Sequence, residues 1–337
     1  MKRLSNLYEN LYKPENIKAC YHEVVRNTKN KRQVHQLQKN ADTVIRNIYE
    51  ELKNERYVVG KYNIFVIYEP KKRTIVSQGM KDKIINHLIA RGILYPALLP
   101  CLLPYNVASR PNMGTRKALE YMDRYRKEFS AKFQKYYILK CDISRFFLSI
   151  NHKILKKKLR KKIKDPKALK IVFQVIDSHD SGIGIGSMTS QVLAIFYLND
   201  MDHFIKEELK VKYYVRYMDD MVLFSNNKKQ LHKIKLAIDD FLAKEHLRIK
   251  ENWQLFKTAS RPLDFLGYRF YRGYSTLRKS NFLRIKRRAK KISKKKELNF
   301  HDAASMLSYS GWLKHCNSYN YQQKYIKPYI NYNKCKE

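Results

Sequence analysis

The sequence predicts a mixed fold of helices and short strands, and three observations predict it. Leu37, Ala41, Val44, Ile48 and Leu52 recur at three- and four-residue spacing, giving the first 56 residues one helical apolar face. Two apolar runs, 137–141 and 213–225, carry carboxylates where a strand ends or turns. From Arg278 to Lys296 a helical stripe of Phe282, Ile285, Ala289 and Ile292 runs through eleven Lys or Arg and no acid.

At 337 residues the chain can bury a substantial core, in one to three domains or subdomains. Lys and Arg number 70 against 30 Asp and Glu, a formal charge of +40. Such an excess repels itself in the compact state unless a polyanion is near, and it draws nucleic acid to the surface. The 26 Tyr and 15 Phe offer stacking surfaces, although most aromatics serve a core. A ribosomal or membrane-surface protein would share the charge but leaves the carboxylate strands without a role. Five scattered cysteines (Cys20, Cys101, Cys141, Cys316, Cys335) show no zinc spacing and suit reduced thiols in the cytoplasm. The polar start lacks a signal core, and the longest clean apolar run, 192–198, is too short to span a bilayer, so a soluble protein without membrane contact is expected.

Within 213–225 an aromatic run, the pair Asp219-Asp220 and a second apolar run read as strand, tight turn, strand. Asp suits turns, so these residues also fit an ordinary hairpin tip. A carboxylate pair on a rigid tip equally suits divalent cations, because Mg²⁺ prefers oxygen ligands. The strand 137–141 ends at a lone Asp142. If the two strands lie side by side, the acids match a two-metal site, which holds its cations about 3.5–4 Å apart.

Asp142 in Asp-Ile-Ser-Arg-Phe-Phe, followed by Tyr-Met-Asp-Asp at 217–220, resembles in order and separation the palm motifs of reverse transcriptases. The resemblance implies an α+β right-hand polymerase with an antiparallel palm sheet and a helical thumb. It implies a helical N-terminal extension over 1–56, fingers with part of the palm over 57–136, palm over 137–275 with a fingers insertion around 155–180, and thumb over 276–337. The implied reaction is RNA-templated addition of deoxynucleotides to a 3′-hydroxyl, with Asp142, Asp219 and Asp220 catalytic and Asp220 secondary. Asp142, Asp219 and the Ile143 carbonyl would hold two Mg²⁺, with Mn²⁺ as a substitute.

The remaining segments follow in chain order. Lys29, Lys31, Arg32, Gln33 and His35 are positioned like the basic extension that prokaryotic reverse transcriptases set against template RNA. Residues 57–61 and 62–68 read as paired strands before the basic stretch 69–76, where Arg73 matches the family's phosphate-gripping arginine and Lys71 matches more loosely. A solvated basic hairpin is the alternative there. Residues 82–94 read as an amphipathic helix, after which Pro96, Pro100 and Pro104 break the chain into a connector. Gly114, in Gly-Thr before a helix, resembles the loop that tracks template backbone. Phe147 stands where the family places its aromatic steric gate against a 2′-hydroxyl; Phe146 and Phe147 read as strand neighbours, one of them facing the core. The basic run 156–164 reads as a solvated helix face.

Gly182-Ile183-Gly184-Ile185-Gly186 is not a dinucleotide loop, since no strand precedes it and no βαβ unit surrounds it. Its glycines instead let backbone approach a base pair, and Ser187 begins a helix through Glu208. Most reverse transcriptases carry Gln-Gly, three variable residues and Ser-Pro where this chain has Ile185-Gly186-Ser187-Met188-Thr189-Ser190-Gln191. The aliphatic before Gly186, and Gln191, resemble the enzymes of diversity-generating retroelements, relatives of group II intron reverse transcriptases. Those enzymes copy a template RNA with adenine-directed errors that feed a variable gene. Ile185, Gly186 and Gln191 would then line the nucleotide site. Lys257 precedes Phe265, Leu266, Gly267 and Tyr268, which resemble a primer-grip turn. Arg284, Lys286 and Arg287 lie on a basic helix suited to an RNA/cDNA duplex, with a membrane-surface helix the runner-up.

The implied partners are template RNA, the RNA/cDNA duplex, deoxynucleoside triphosphates and an accessory variability determinant, an oligomeric helical bundle. The setting is a bacterial or phage-encoded cytoplasmic protein. Two alternatives stay open: a bacterial reverse transcriptase of phage defence or of a group II intron-like element, and a non-catalytic RNA-binding relative.

Overall fold

The computed structural model describes residues 3–68, 73–295 and 297–330. Lys71 therefore lies outside the described residues, and of Arg73 only the backbone is described. The first helices are α1 (Pro14–Asn27), α2 (Lys31–Lys39) and α3 (Ala41–Lys53). The apolar spacing over 37–52 resolves into two helices because Asn40 closes α2 and opens α3.

Strands β1 (Asn63–Ile67) and β2 (Arg73–Ser77) form an antiparallel ladder pairing Asn63 with Ser77 and Ile67 with Arg73. This corrects the expected pairing of 57–61 with 62–68. Residues 57–61 are held off the ladder by Asp82: the buried Tyr57 hydroxyl donates to its Oδ1 at 2.9 Å. Arg73 is thus the first residue of a strand rather than part of a loop.

Helix α4 (Met80–Ile89), a π turn (Ala90–Leu94), α5 (Tyr95–Leu98) and a 3₁₀ turn (Leu99–Cys101) follow one another directly. Ile84, Ile85, Leu88, Ile89, Ile93 and Leu94 are all buried while Lys81, Lys83, His87 and Arg91 are not, so this stretch is the amphipathic helix expected, with a broad buried face. Pro96 and Pro100 do not break it. Each sits in the first turn of its helical segment, where a missing N–H forfeits little. Met80–Cys101 is long and apolar enough to cross a membrane by length and composition, and 56% of its most apolar window is buried inside the protein.

Next come α6 (Thr115–Lys132), β3 (Tyr137–Cys141), α7 (Phe146–Ser149), α8 (His152–Arg160) and α9 (Pro166–Asp177). Phe146 and Phe147 thus open a one-turn helix rather than a strand, with Phe146 buried and Phe147 half-buried. The basic run is not wholly solvated either. Lys158 is buried, donating to the Tyr197 carbonyl at 2.8 Å with Glu245 at 2.9 Å and Asp200 at 3.1 Å. Ser187 caps α10 (Met188–Tyr197) by accepting the Ser190 N–H, and α11 (Asn199–His203) with a π turn (Phe204–Glu208) completes that segment.

The chain continues through β4 (Tyr214–Tyr217), β5 (Asp220–Ser225), α12 (Lys228–Lys244), β6 (Gln254–Lys257), β7 (Leu263–Phe265), β8 (Tyr268–Phe270) and β9 (Ser275–Leu277). It closes with α13 (Lys279–Ser293), α14 (Phe300–Leu313) and α15 (Tyr319–Tyr325). A four-stranded sheet has the order β4-β5-β3-β6, with β3 and β6 antiparallel; β7-β8-β9 is an antiparallel meander.

Two compact units are distinguished. The first comprises Met1–Gly114, Cys141–Met221 and Ile234–Trp253. Its core gathers Ile17, Ile48, Leu52 and the α4 side chains named above, with α1 packed on α4 and α3. The second comprises Thr115–Lys140, Val222–Lys233 and Gln254–Glu337. Rings of Tyr125, Phe129, Tyr136 and Phe224 cluster there at 5.2–6.1 Å. In the same unit Ile285, Ala289 and Ile292 are buried on α13, while the buried Asp302 of α14 pairs with Arg288 at 2.6 Å and with Lys295.

The glycine loop is packed against its own chain rather than left open. Gly182 has φ +61°, and a Cβ there would lie 2.3 Å from the Phe147 carbonyl oxygen and 2.5 Å from Leu148 Cα. Gly182→Ala should therefore destabilise the fold by more than about 3 kcal/mol, read as a lowered midpoint in urea unfolding at unchanged slope.

Candidate active site

Asp142 follows the last residue of β3, and the chain beyond it is fixed by a single antiparallel bridge. Ser144 N–H donates to the Arg248 carbonyl at 3.0 Å, and Lys250 N–H to the Asp142 carbonyl at 2.8 Å. That bridge uses the carbonyl of Asp142 and leaves the Ile143 carbonyl outside the pair of bonds, while the Ile143 side chain is buried. Arg145 then turns the chain at φ +46° into α7.

The second carboxylate comes from the two-residue turn between β4 and β5. Met218 holds φ +56°, the handedness a tight hairpin requires, at a cost of about 1–2 kcal/mol for a residue other than glycine. Something must hold that turn, and Arg216 does. Its guanidinium is completely buried on β4, donating from Nε to Asp202 Oδ1 at 2.7 Å and from Nη2 to Oδ2 at 2.5 Å. Its Nη1 donates to the Met218 carbonyl at 2.7 Å, immediately before Asp219. The Tyr214 hydroxyl completes the cluster at 2.6 Å from Asp202; burial, and then Asp202, push that phenol far above its ordinary range, so it stays a donor. Breaking such a buried pair from one side costs about 3–5 kcal/mol. The outer edge of β4 is tied to 105–107, whose Val107 carbonyl accepts the Gly114 N–H at 2.6 Å.

These supports bring Asp142 and Asp219 into hydrogen-bond contact. Burial, then the hydrogen bond and negative charge of Asp142, push the Asp219 carboxyl up to about 7, with a smaller contribution from Asp220. Two buried carboxyls this close disfavour carrying both charges unless a cation stands between them, which suits the pair to a divalent ion. Asp220 lies near enough to add its charge to Asp219, and among the described residues no three His, Cys, Asp or Glu side chains gather as a metal-holding cluster. Lys250 Nζ stands 3.9 Å from Asp142 Oδ2. Cys141 beside the site is buried, its thiol pushed up to about 12 by that burial, and it stays protonated.

The other candidates fall into place around this pair or apart from it. Ile183 N–H donates to the Phe147 carbonyl at 2.8 Å, so the glycine loop fixes α7. The Ile185 carbonyl accepts the Val76 N–H at 3.3 Å, and Gly186, at φ +134°, lies against the Val76 carbonyl. Gly182 and Gly186 thus lie close to the backbone of α7 and β2. Gln191 is exposed and accepts from the Ser109 hydroxyl at 2.9 Å. A cavity of about 380 Å³ is lined by Ile75 to Gln78, Gly186 to Met188, and Lys29, Asn30 and Gln33.

In the second unit, Leu266 (φ +49°) and Gly267 (φ +85°) form the β7–β8 turn, with Phe265 and Tyr268 buried. Arg284 and Arg287 are exposed on α13, whereas Lys286 Nζ lies over the Tyr325 ring at 4.0 Å.

A family model described as reverse transcriptase (RNA-dependent DNA polymerase) matches residues 59–270. The chain belongs to this family. Both carboxylates and the glycine loop of this reverse transcriptase lie inside the matched span. A solved structure of apo telomerase from Candida tropicalis, truncated from its C-terminal domain, aligns with a TM-score of 0.52 at 15% identity, over 65% of this chain. The chain spans 55% of that structure's length, and at this identity the likeness shows the polymerase fold alone. No curated protein matches the chain in sequence.

The sequence reading missed Arg216, Lys250 and the role of Asp202. An arginine flanked by Tyr214, Val215 and Tyr217 in an apolar strand was the available signal, since such a side chain needs a buried acid.

The raised Asp219 carboxyl has a signed consequence for the metal-free protein. The folded state holds its proton more tightly than the unfolded chain, so the contribution is full below about pH 4 and is lost as pH rises through about 7. In a chelator, wild type should lose about 1–3 kcal/mol across that window relative to Asp219→Asn, measured as the difference between their unfolding curves at pH 4 to 9.

Proposed function

We propose that this reverse transcriptase copies an RNA template into DNA, and that the Asp142–Asp219 contact is its catalytic centre. The carrying observation is that contact itself: two acids from separate strand ends, close enough to share a proton. The primer 3′-oxygen bonds to the α-phosphorus of the incoming deoxynucleotide. The bond from that phosphorus to its bridging oxygen breaks, pyrophosphate leaves with the electron pair, and the hydroxyl proton passes to solvent. Asp142, Asp219 and the Ile143 carbonyl would hold two Mg²⁺ ions, or Mn²⁺ in their place, which when bound lower the pKa of the primer hydroxyl and neutralise phosphate charge.

The chain's own residues do the rest. Asp220 adds negative charge near Asp219 and takes the secondary role. Phe147, its carbonyl pinned by Ile183, sets a flat ring under the nucleotide sugar, while Arg73 and Lys71 grip the triphosphate. The cavity bordered by Lys29, Asn30 and Gln33 takes template ahead of the site. Gly114 tracks template backbone. The turn at Phe265, Leu266, Gly267 and Tyr268 supports the primer, and Arg284, Lys286 and Arg287 follow the duplex. The corresponding divisions are an extension over 1–56, fingers over 57–136, palm over 137–275 and thumb over 276–337.

Within the family we place the chain among the diversity-generating retroelement enzymes, on Ile185 and Gln191. A branched apolar side chain in place of a hydrogen-bonding amide loosens geometric discrimination beside the incoming nucleotide. The setting is a bacterial or phage-encoded cytoplasmic protein, in keeping with its free thiols at Cys20, Cys101, Cys141 and Cys316. Its partners are locus RNA and an accessory helical-bundle protein, bridged by RNA because both are basic.

Asp219→Asn should abolish primer extension while RNA binding stays within about threefold; retained extension removes the catalytic assignment. Ile185→Gln should lower adenine misincorporation in sequenced cDNA, and an unchanged adenine spectrum removes the retroelement reading.

A further inference from the structure

Beside Asp142, in the first unit, a second cavity of about 380 Å³ is lined by Ser144, Arg145, Arg248, Ile249, Lys250, Glu251 and Asn252. Its geometry follows from the bridge at Ile143 and Ile249. Ile249 turns its side chain into the core, so its neighbours Arg248 and Lys250 share the opposite face of an extended segment. Two residues apart on such a segment, their backbones are roughly 6.5 Å apart, a spacing that lets both reach one small polyanion. Arg145 adds a third cation, carried there by its left-handed turn.

Arg145 and Arg248 are exposed, with no carboxylate within 4 Å among the described residues; Lys250 has only Asp142, at 3.9 Å. Glu251, also exposed, is the one acid lining the cavity. A concave, cationic pocket that Lys250 links to the proposed catalytic carboxylate of Asp142 is suited to an anion formed beside that carboxylate. Guanidinium forks and an ammonium point charge are the groups that bind phosphate oxygens.

We propose that this pocket receives the inorganic pyrophosphate released by nucleotide addition, a proposal that rests on the polymerase reading above. Arg248 and Arg145 hold its far phosphate, and Lys250, beside Asp142, holds the near one. The pocket thus keeps product separate from the triphosphate grip of β2 and gives it a path away from the newly formed bond.

The test uses the full chain, inorganic pyrophosphate and Mg²⁺. In primer extension, Arg248→Gln should raise the inhibition constant for pyrophosphate at least tenfold, and Arg145→Asn should do the same. The Kd of each variant for primer–template should move less than threefold. An inhibition constant that stays at the wild-type value, or rises only in step with the primer–template Kd, overturns the proposal; the second result assigns the cations to nucleic-acid backbone. Both substitutions are at exposed positions, and thermal unfolding checks that each variant is folded. Calorimetric titration of pyrophosphate needs no turnover and separates the two readings. Binding weakened by Arg248→Gln in a protein that makes no DNA keeps the pocket and removes the polymerase. DNA synthesis by a protein whose pyrophosphate affinity ignores the substitution keeps the polymerase and removes the pocket.

Discussion

The buried contact between Arg216 and Asp202 is the constraint on which the catalytic geometry depends. A carboxylate at the tip of a two-residue turn is only as well placed as the turn, and this one includes a methionine in a backbone region it does not prefer. Arg216 overcomes that preference by holding the Met218 carbonyl, while Asp202 and the Ile195 carbonyl take up its Nε and Nη2 donors. Because Arg216 and its partner Asp202 are both fully buried, the arginine cannot swing away to solvent. Strain at the tip and order beneath it are two sides of one arrangement.

Charge is distributed with the same economy. The chain carries a formal +40, yet its proposed reaction centre is a small acidic spot where burial, and then the neighbouring Asp142, raise the Asp219 carboxyl. Some cations are committed to structure, as Lys295 and Arg288 are to Asp302. Others, such as Arg145, Arg248, Arg284 and Arg287, face solvent and remain open to phosphate. A basic surface around an acidic centre is what a template-copying enzyme needs: broad attraction for polyanion, and one place where it is cut or joined.

The centre was legible in the sequence because strand–carboxylate–strand patterns are local, and β3, β4 and β5 form where those patterns put them. The cap at Ser187 was local too. What failed was longer in range. Residues 57–61 looked like a strand, but Asp82 captures Tyr57 from 25 positions away. Pro96 and Pro100 looked like breaks, but each falls in the first turn of a short helical segment, where proline is tolerated. Phe146 and Phe147 lost their expected strand to the reversal at Arg145, a conformation nothing in its side chain announces. The close packing of Gly182 on the Phe147 and Leu148 backbone was likewise beyond what spacing alone contains.

Lys158 extends this logic beyond the centre. An ammonium locked between Asp200, Glu245 and the Tyr197 carbonyl ties α8 to α11 and to the residue just past α12. In a molecule so rich in amines, acylating reagents would decorate nearly everything on the outside, yet this one nitrogen is shut away from them. Its labelling would report the moment those three segments part, making it a built-in gauge of whether this region is still closed.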